Sequence, residues 1–320
     1  MIKKFTQFEG MSVTVHTNDN CTCKCSYCYE TDKAASIEED EKFWSSTRFK
    51  DEERNYDFVK KDCRFRVVDA EKAKKFIDQI LDFPETEFFE EYISLKDAVI
   101  LDFIGGDSLQ YPELLDEILT YFAVEMAKRN HRWMTSWRAS VSSNGVSLLN
   151  PRARKFCEKW RDNLSLGLSI DGCPELHDLN RWCFADEADG SHRGSWRYVE
   201  EVWPWYRKYF PHDSRRTKWT LAPNSYGYMM QSIKFLHEEL GMTHLMFNRV
   251  MEGGVQDTAE QLWDLIQQFE KATEYLIEHH HDLYCSPFMY SNTRYKTKEE
   301  QLRNDPDFTR CGFGRMPTIW

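Results

Sequence analysis

The stretch 19-DNCTCKCSYCYE-30 places four of the chain's ten cysteines, Cys21, Cys23, Cys25 and Cys28, within eight residues. Cys21, Cys25 and Cys28 follow the spacing C-x3-C-x2-C, with Tyr27 just before the last cysteine and Tyr29 just after it. In a reducing compartment, thiols crowded in this way serve as metal or cluster ligands. Three thiolates can hold three irons of a cubane 4Fe-4S cluster and leave the fourth iron open to a small molecule. An open coordination position distinguishes a reactive metal site from a closed structural one. The alternative is a zinc knot of Cys21, Cys23, Cys25 and Cys28. Such knots prefer two C-x2-C pairs set apart in sequence, and only Cys25–Cys28 forms one here. On the cluster reading Cys23 is spare and has no role.

A loop of this kind needs a scaffold, and the chain is long enough to supply one. Its 320 residues allow about two domains with a sizeable core. Charged residues at 30% and hydrophobic residues at 41% are ordinary for a globular protein. A net charge of −11 argues against a broad nucleic-acid or anionic-membrane footprint. No apolar run reaches the length of a membrane span, and MIKKFTQFEG lacks the apolar core of a signal peptide. The expected location is therefore the cytoplasm, with neither nucleic acid nor membrane as partner. There Cys63, Cys157, Cys173, Cys183, Cys285 and Cys311 are expected to behave as scattered small hydrophobes.

Six apolar runs of strand length recur, each followed by a loop rich in Gly, Asn or Asp: 11-MSVTVH-16, 98-AVILDFI-104, 137-WRASVS-142, 164-LSLGLSI-170, 218-KWTLA-222 and 244-HLMFNRV-250. They read as nearly continuous buried strands. Helical patterns lie between them at 69–83, with Asp69 as N-cap, and at 112–129 and 151–162, each opening on Pro. Two more fall at 228–241 and 258–281. The alternation predicts an α/β fold with a parallel sheet. Residues 31–66 and 182–202 interrupt the rhythm and read as insertions, either solvated loops or lids over the active face.

On Cys21-x3-Cys25-Ser26-Tyr27-Cys28, placed after the first strand, the sequence resembles the radical S-adenosylmethionine (AdoMet) superfamily. The resemblance implies that the open iron chelates AdoMet. One electron from the cluster then cleaves the sulfonium to a 5′-deoxyadenosyl radical, which abstracts hydrogen from substrate. Other loops at strand ends agree, which is where parallel α/β barrels assemble their sites. Gly105-Gly106-Asp107 looks like the family's Gly-Gly-Glu, with Asp in place of Glu, so cofactor contacts are expected from its backbone more than from its carboxylate. Ser142-Ser143-Asn144-Gly145 is expected to meet the ribose hydroxyls or the carboxylate of the cofactor. The stretch 168-LSIDGCPELHDLNR-181 is similar to the branch that modifies peptides and proteins, which includes sulfatase-maturing enzymes. By that resemblance Ser169 and Arg181 bind AdoMet, Arg181 through its guanidinium fork, while Asp171, His177 and Asp178 order the loop. Tyr27 and Asn224 complete the cofactor-binding set.

The sequence ends 310-RCGFGRMPTIW-320, whose Cys-Gly-x-Gly resembles the opening of the cysteine-rich SPASM domain and reads as either a truncated start of one or the remnant of one that has been lost. The tract His279-His280-His281-Asp282 reads as a solvated helix end, because consecutive helical residues point in different directions. The overall expectation is a partial (β/α)6, TIM-like barrel over residues 1–255 with a C-terminal helical extension over 256–320. It would bind one 4Fe-4S cluster through Cys21, Cys25 and Cys28, together with AdoMet. The expected substrate is a peptide or protein side chain, and the electron donor a flavodoxin or ferredoxin. A radical enzyme acting on a small molecule, or a non-catalytic zinc protein, are the alternatives.

Overall fold

The computed structural model describes residues 11–28, 67–82, 98–183, 193–250, 257–279, 282–285 and 318–319. The 31–66 insertion, Cys63, Cys311, His280 and His281 lie outside the described residues.

Six parallel strands appear where the apolar runs predict them: β1 Met11–Asn18, β2 Val99–Gly105, β3 Trp137–Ser143, β4 Leu164–Leu168, β5 Arg216–Leu221 and β6 His244–Arg249. Strands β1 to β4 pair in sequence order, through registers such as Val13↔Leu101, Leu101↔Ala139 and Val141↔Leu166. A short strand, Thr318–Ile319, lines the outer edge of β1 in parallel.

The helices form where local signals place them. Helix α1 (Ala70–Leu81) starts at Asp69, whose carboxylate accepts from the amides of Glu71 and Lys72 and satisfies two otherwise unpaired donors. Helices α2 (Pro112–Lys128) and α3 (Pro151–Trp160) open on Pro, which gives up only an amide that the first turn leaves unpaired. Two further helices interrupt regions that the sequence reads as loop. Helix α4 (Pro174–Asn180) follows β4, and α5 (Trp196–Tyr209) begins inside the predicted 182–202 insertion. That insertion is therefore not a solvated loop from residue 196 onward, because Val199 and Val202 of α5 are fully buried. Helix α6 (Met229–Lys234) continues as a π-helical turn over Phe235–Glu239. Helix α7 (Ala259–Glu278) is fixed by a reciprocal capping box between Thr258 and Gln261.

The strands depart from the expected pattern. They alternate, with one face buried and apolar and the other mixing polar residues with Ile100, Ile104 and Met246. Val13, Val15, Val99, Leu101, Phe103, Ala139, Val141, Leu164, Leu166 and Trp219 are buried. They pack with Ile77 of α1, Leu115, Ile118, Leu119 and Phe122 of α2, and Phe156 of α3. Each such fully buried side chain contributes about 1.5–3 kcal/mol. The opposite face carries Ser12, Asp102, Arg138, Ser140, Ser142, Ser165, Gly167, Lys218, Thr220 and Asn248, all half-buried or exposed. A TIM barrel normally fills this interior with branched side chains; here polar residues outnumber Ile100, Ile104 and Met246 on it.

The barrel is also not closed. Strands β5 and β6 form their own parallel sheet with Tyr284–Cys285, separate from the β1–β4 sheet. At the seam, side chains replace the ladder. Asp213 accepts from the Leu166 amide at 3.0 Å and the Ser165 hydroxyl at 3.1 Å, and Thr217 donates to the Ile170 carbonyl at 3.1 Å. No described helix is long and apolar enough to cross a membrane.

Candidate cofactor site at the strand ends

The cysteine loop leaves the C-terminal end of β1 and is bound on two sides. On one side its residues Cys23–Cys25 form a short strand antiparallel to Arg181–Cys183, which in turn pairs with Arg193–Gly194. This places Cys23 opposite Cys183 and Cys25 opposite Arg181. On the other side the loop meets Gly105-Gly106-Asp107. The Gly106 amide donates to the Asn18 carbonyl at 2.8 Å and the Asp107 amide to the Asn20 carbonyl at 2.7 Å. Glycine is required there: a Cβ on Gly105 would sit 2.2 Å from the Asn18 carbonyl oxygen, and one on Gly106 1.9 Å from that of Asn20. Gly105 also has a φ of +136°.

Asp107 is buried and its carboxylate is committed internally. It accepts from the Ser143 hydroxyl at 3.0 Å, the Leu109 amide at 3.1 Å and the Asn144 amide at 3.3 Å. Burial pushes its carboxyl up to about 6, against the pull of these donors. The shortened acid thus braces the Ser-Asn-Gly loop. Asn144 in turn donates to the Thr22 hydroxyl at 2.9 Å and approaches the Cys21 sulfur at 3.4 Å. The Ser169 amide donates to the Ser143 carbonyl at 2.9 Å, which ties the β4 end to the same loop. Ser142 lies on the polar strand face, exposed.

Arg181 and Tyr27 converge on Asp171. The fork of Arg181 meets its carboxylate through Nε at 2.7 Å and Nη2 at 3.2 Å, and the Tyr27 hydroxyl donates to Oδ2. Nη1 of Arg181 remains directed at the Cys25 sulfur, 3.7 Å away. The sequence reading aims the Arg181 fork at a cofactor carboxylate; in the structure two of its donors are held by Asp171. Asn224 donates to Asn180 Oδ1 at 2.9 Å. Asn180 is a residue the sequence reading missed. It is fully buried, its Oδ1 also accepts from the Ser26 hydroxyl at 2.7 Å, and its carbonyl accepts the Ser26 amide at 2.9 Å. An Asn just before the recognised Arg181 carried no periodic or motif signal to mark it.

His177, predicted to order its loop, does so. Its Nδ1 accepts the Asp171 amide at 3.3 Å, and its Nε2 lies 2.8 Å from the Ser195 hydroxyl. Burial, with the Arg181 charge adding, pushes the imidazole down to about 3, so it is neutral.

The four loop cysteines divide into three and one. Cys21, Cys25 and Cys28 are partly exposed, whereas Cys23 is buried with its sulfur against that of Cys183. This turns Cys23 away from the zinc knot considered above. A tetrahedral ion with metal–sulfur bonds of about 2.3 Å holds its sulfurs about 3.8 Å apart. Among the described residues no three His, Cys, Asp or Glu side chains gather for a single ion. Burial pushes the Cys25 thiol up to about 12, with Arg181 pulling the other way. The Asn144 amide and the Arg181 guanidinium face the Cys21 and Cys25 sulfurs as donors, at 3.4 and 3.7 Å.

No family model and no curated protein sequence matches the chain. Solved structures do. The anaerobic sulfatase-maturating enzyme anSMEcpe with bound AdoMet aligns at 14% identity with a TM-score of 0.57, over 87% of this chain and 64% of that one. The same enzyme with bound AdoMet and the Cp18Cys peptide gives the same values. Streptococcus suis SuiB bound to its precursor peptide SuiA aligns at 11% identity and a TM-score of 0.48, over 86% and 48% of the two chains. The chain thus spans 64% of the length of the first of these structures.

Proposed function

From the α/β fold this chain shares with a radical AdoMet enzyme, we propose that it is itself a radical AdoMet enzyme acting on a peptide or protein side chain. The observation that carries the reading is the division of the cysteine loop. Cys21, Cys25 and Cys28 stay partly exposed at the strand ends while Cys23 is buried against Cys183. Those three thiols would hold a 4Fe-4S cluster. Bound there, with an electron from a flavodoxin or ferredoxin, the cluster supplies the reducing power that splits AdoMet to a 5′-deoxyadenosyl radical.

The chain's own residues do the positioning. Gly105 and Gly106 let the backbone come close enough to brace the cysteine loop. Asp107 fixes the Ser143–Asn144 turn, and that turn, with Ser142 and Ser169, would contact the nucleoside. Asp171 holds Arg181 and Tyr27 beside Cys25. The polar strand face below, from Asp102 and Arg138 to Lys218 and Asn248, supports a hydrated, hydrogen-bonding substrate such as a peptide. The neighbour solved with Cp18Cys peptide favours the same substrate class.

The test is anaerobic reconstitution with iron and sulfide, followed by reduction with dithionite in the presence of AdoMet. The expected results are cluster-type absorbance and release of 5′-deoxyadenosine, both lost in Cys25→Ala. Zinc without iron and sulfide, or an unchanged Cys25→Ala chain, would overturn the reading.

A further inference from the structure

Cys23 and Cys183 are two thiols that the proposed site does not use. They lie 160 positions apart in sequence yet face each other directly in the antiparallel pairing of Cys23–Cys25 with Arg181–Cys183. Their sulfurs are 3.6 Å apart, and the residues are 6% and 3% exposed. Directly opposed residues of an antiparallel pair have Cα atoms about 4.5–5.5 Å apart. A disulfide spans about 4.4–6.8 Å between Cα atoms, so the backbone is already in range. Closing the sulfurs to a bond of about 2.05 Å needs side-chain movement alone.

We propose that Cys23 and Cys183 are a redox-active dithiol whose oxidation staples the cysteine loop to the strand that carries Arg181. With hydrogen peroxide as oxidant, one sulfur attacks a peroxide oxygen, the O–O bond breaks and the first water leaves, giving a sulfenic acid. The second sulfur displaces that oxygen as a second water and the S–S bond forms. Two S–H bonds and one O–O bond are exchanged for one S–S and two O–H bonds; the sulfurs lose two electrons and the peroxide gains them. The staple would hold Cys25 opposite Arg181 while Cys21, Cys25 and Cys28 stay free to take up iron. It does not depend on the proposed enzymatic function, because it is read on the polypeptide itself.

The full chain is treated with graded hydrogen peroxide, unfolded without reductant, alkylated, digested with trypsin and examined by mass spectrometry. Cleavage after Lys24 separates Cys23 from Cys25 and Cys28, and cleavage after Arg181 leaves Cys183 alone on peptide 182–193. The expected main disulfide joins peptides 5–24 and 182–193, disappears with dithiothreitol and in Cys23→Ser, and persists in Cys21→Ala. Should Cys23→Ser fail to fold, Cys21→Ala alone makes the assignment, since peptide 5–24 then holds only Cys23. Recovery of Cys183 fully alkylated at every peroxide dose, or its linkage to Cys21, Cys25 or Cys28, would overturn the proposal.

Discussion

Asp171 and Arg181 form a two-point ion pair inside the protein, with side chains 0% and 10% exposed. The same carboxylate accepts the Tyr27 hydroxyl from the cysteine loop and, at 3.1 Å, the Thr220 amide from β5. One anion therefore joins the cysteine loop, the 181–183 strand and the far side of the barrel seam. Its lone pairs are shared among four donors, and that satisfaction is what makes a buried charge tolerable.

Removing one member strands the other. Arg181→Ala is expected to cost about 3–5 kcal/mol of stability, the usual effect of breaking a buried pair. Arg181→Lys should lose less but not recover wild-type stability, because an ammonium cannot make the two parallel bonds. Urea unfolding checks both. An Arg181→Ala chain within about 0.5 kcal/mol of wild type would show that the pair is not formed.

Gly106→Ala pushes a methyl group into the Asn20 carbonyl, so the cysteine loop must shift. The expected cost is about 1–3 kcal/mol, as for overpacking, together with reduced iron uptake on reconstitution. Gly227→Ala is the control: a Cβ there has nothing within 4 Å and should change stability by no more than about 0.5 kcal/mol. Thermal melting and iron content read both variants.

His177 gives the pH dependence a sign. Its folded value, about 3, lies below the unfolded value of 6.5. Between these limits the unfolded chain takes up a proton that the folded chain refuses, so acid favours unfolding. This contribution is fully present above pH 6.5 and is lost progressively toward pH 3, by on the order of 4 kcal/mol in all. Denaturation midpoints measured from pH 7.5 down to 4.5 should fall, with a shallower slope in His177→Asn. An imidazole signal for His177 that titrates near 6.5 by NMR would contradict the assignment.

Asn180→Ala removes the acceptor for Ser26 and Asn224 and the donor to Ser225. Leaving those groups unpaired should cost about 1–3 kcal/mol. The effect should be local, with amide exchange at Ser26 accelerated about tenfold or more while β2 and β3 keep their protection. Uniform acceleration across the sheet would instead make Asn180 a general core residue.

The cysteine loop, the strand positions and the helix starts are legible in the sequence because each rests on local chemistry: thiol spacing, apolar runs, Asp69 as a cap, Pro112 and Pro151 at first turns. The antiparallel sheet of Cys23–Cys25, Arg181–Cys183 and Arg193–Gly194 is not. Strands of two or three residues have no period, and the pairing of Cys23–Cys25 with Arg181–Cys183 spans more than 150 positions. The role of Cys23 was hidden for the same reason, since its partner Cys183 lies on that distant strand. Helix α5 was missed because ADEADGSHRGS, just before it, carries the composition of a loop. The alternation within WRASVS was present in the letters. Reading the run as uniformly apolar hid the polar face that β3 presents away from the helices.

That polar face has a consequence for how the molecule tolerates change. Cohesion resides in the layer between strands and helices, where Leu101, Val141, Leu166 and their helical partners are sealed. Asp102, Arg138, Ser140, Lys218 and Asn248 contribute little to it. Single substitutions at Arg138, Lys218 or Asn248, all exposed, are therefore expected to leave the apolar layer intact.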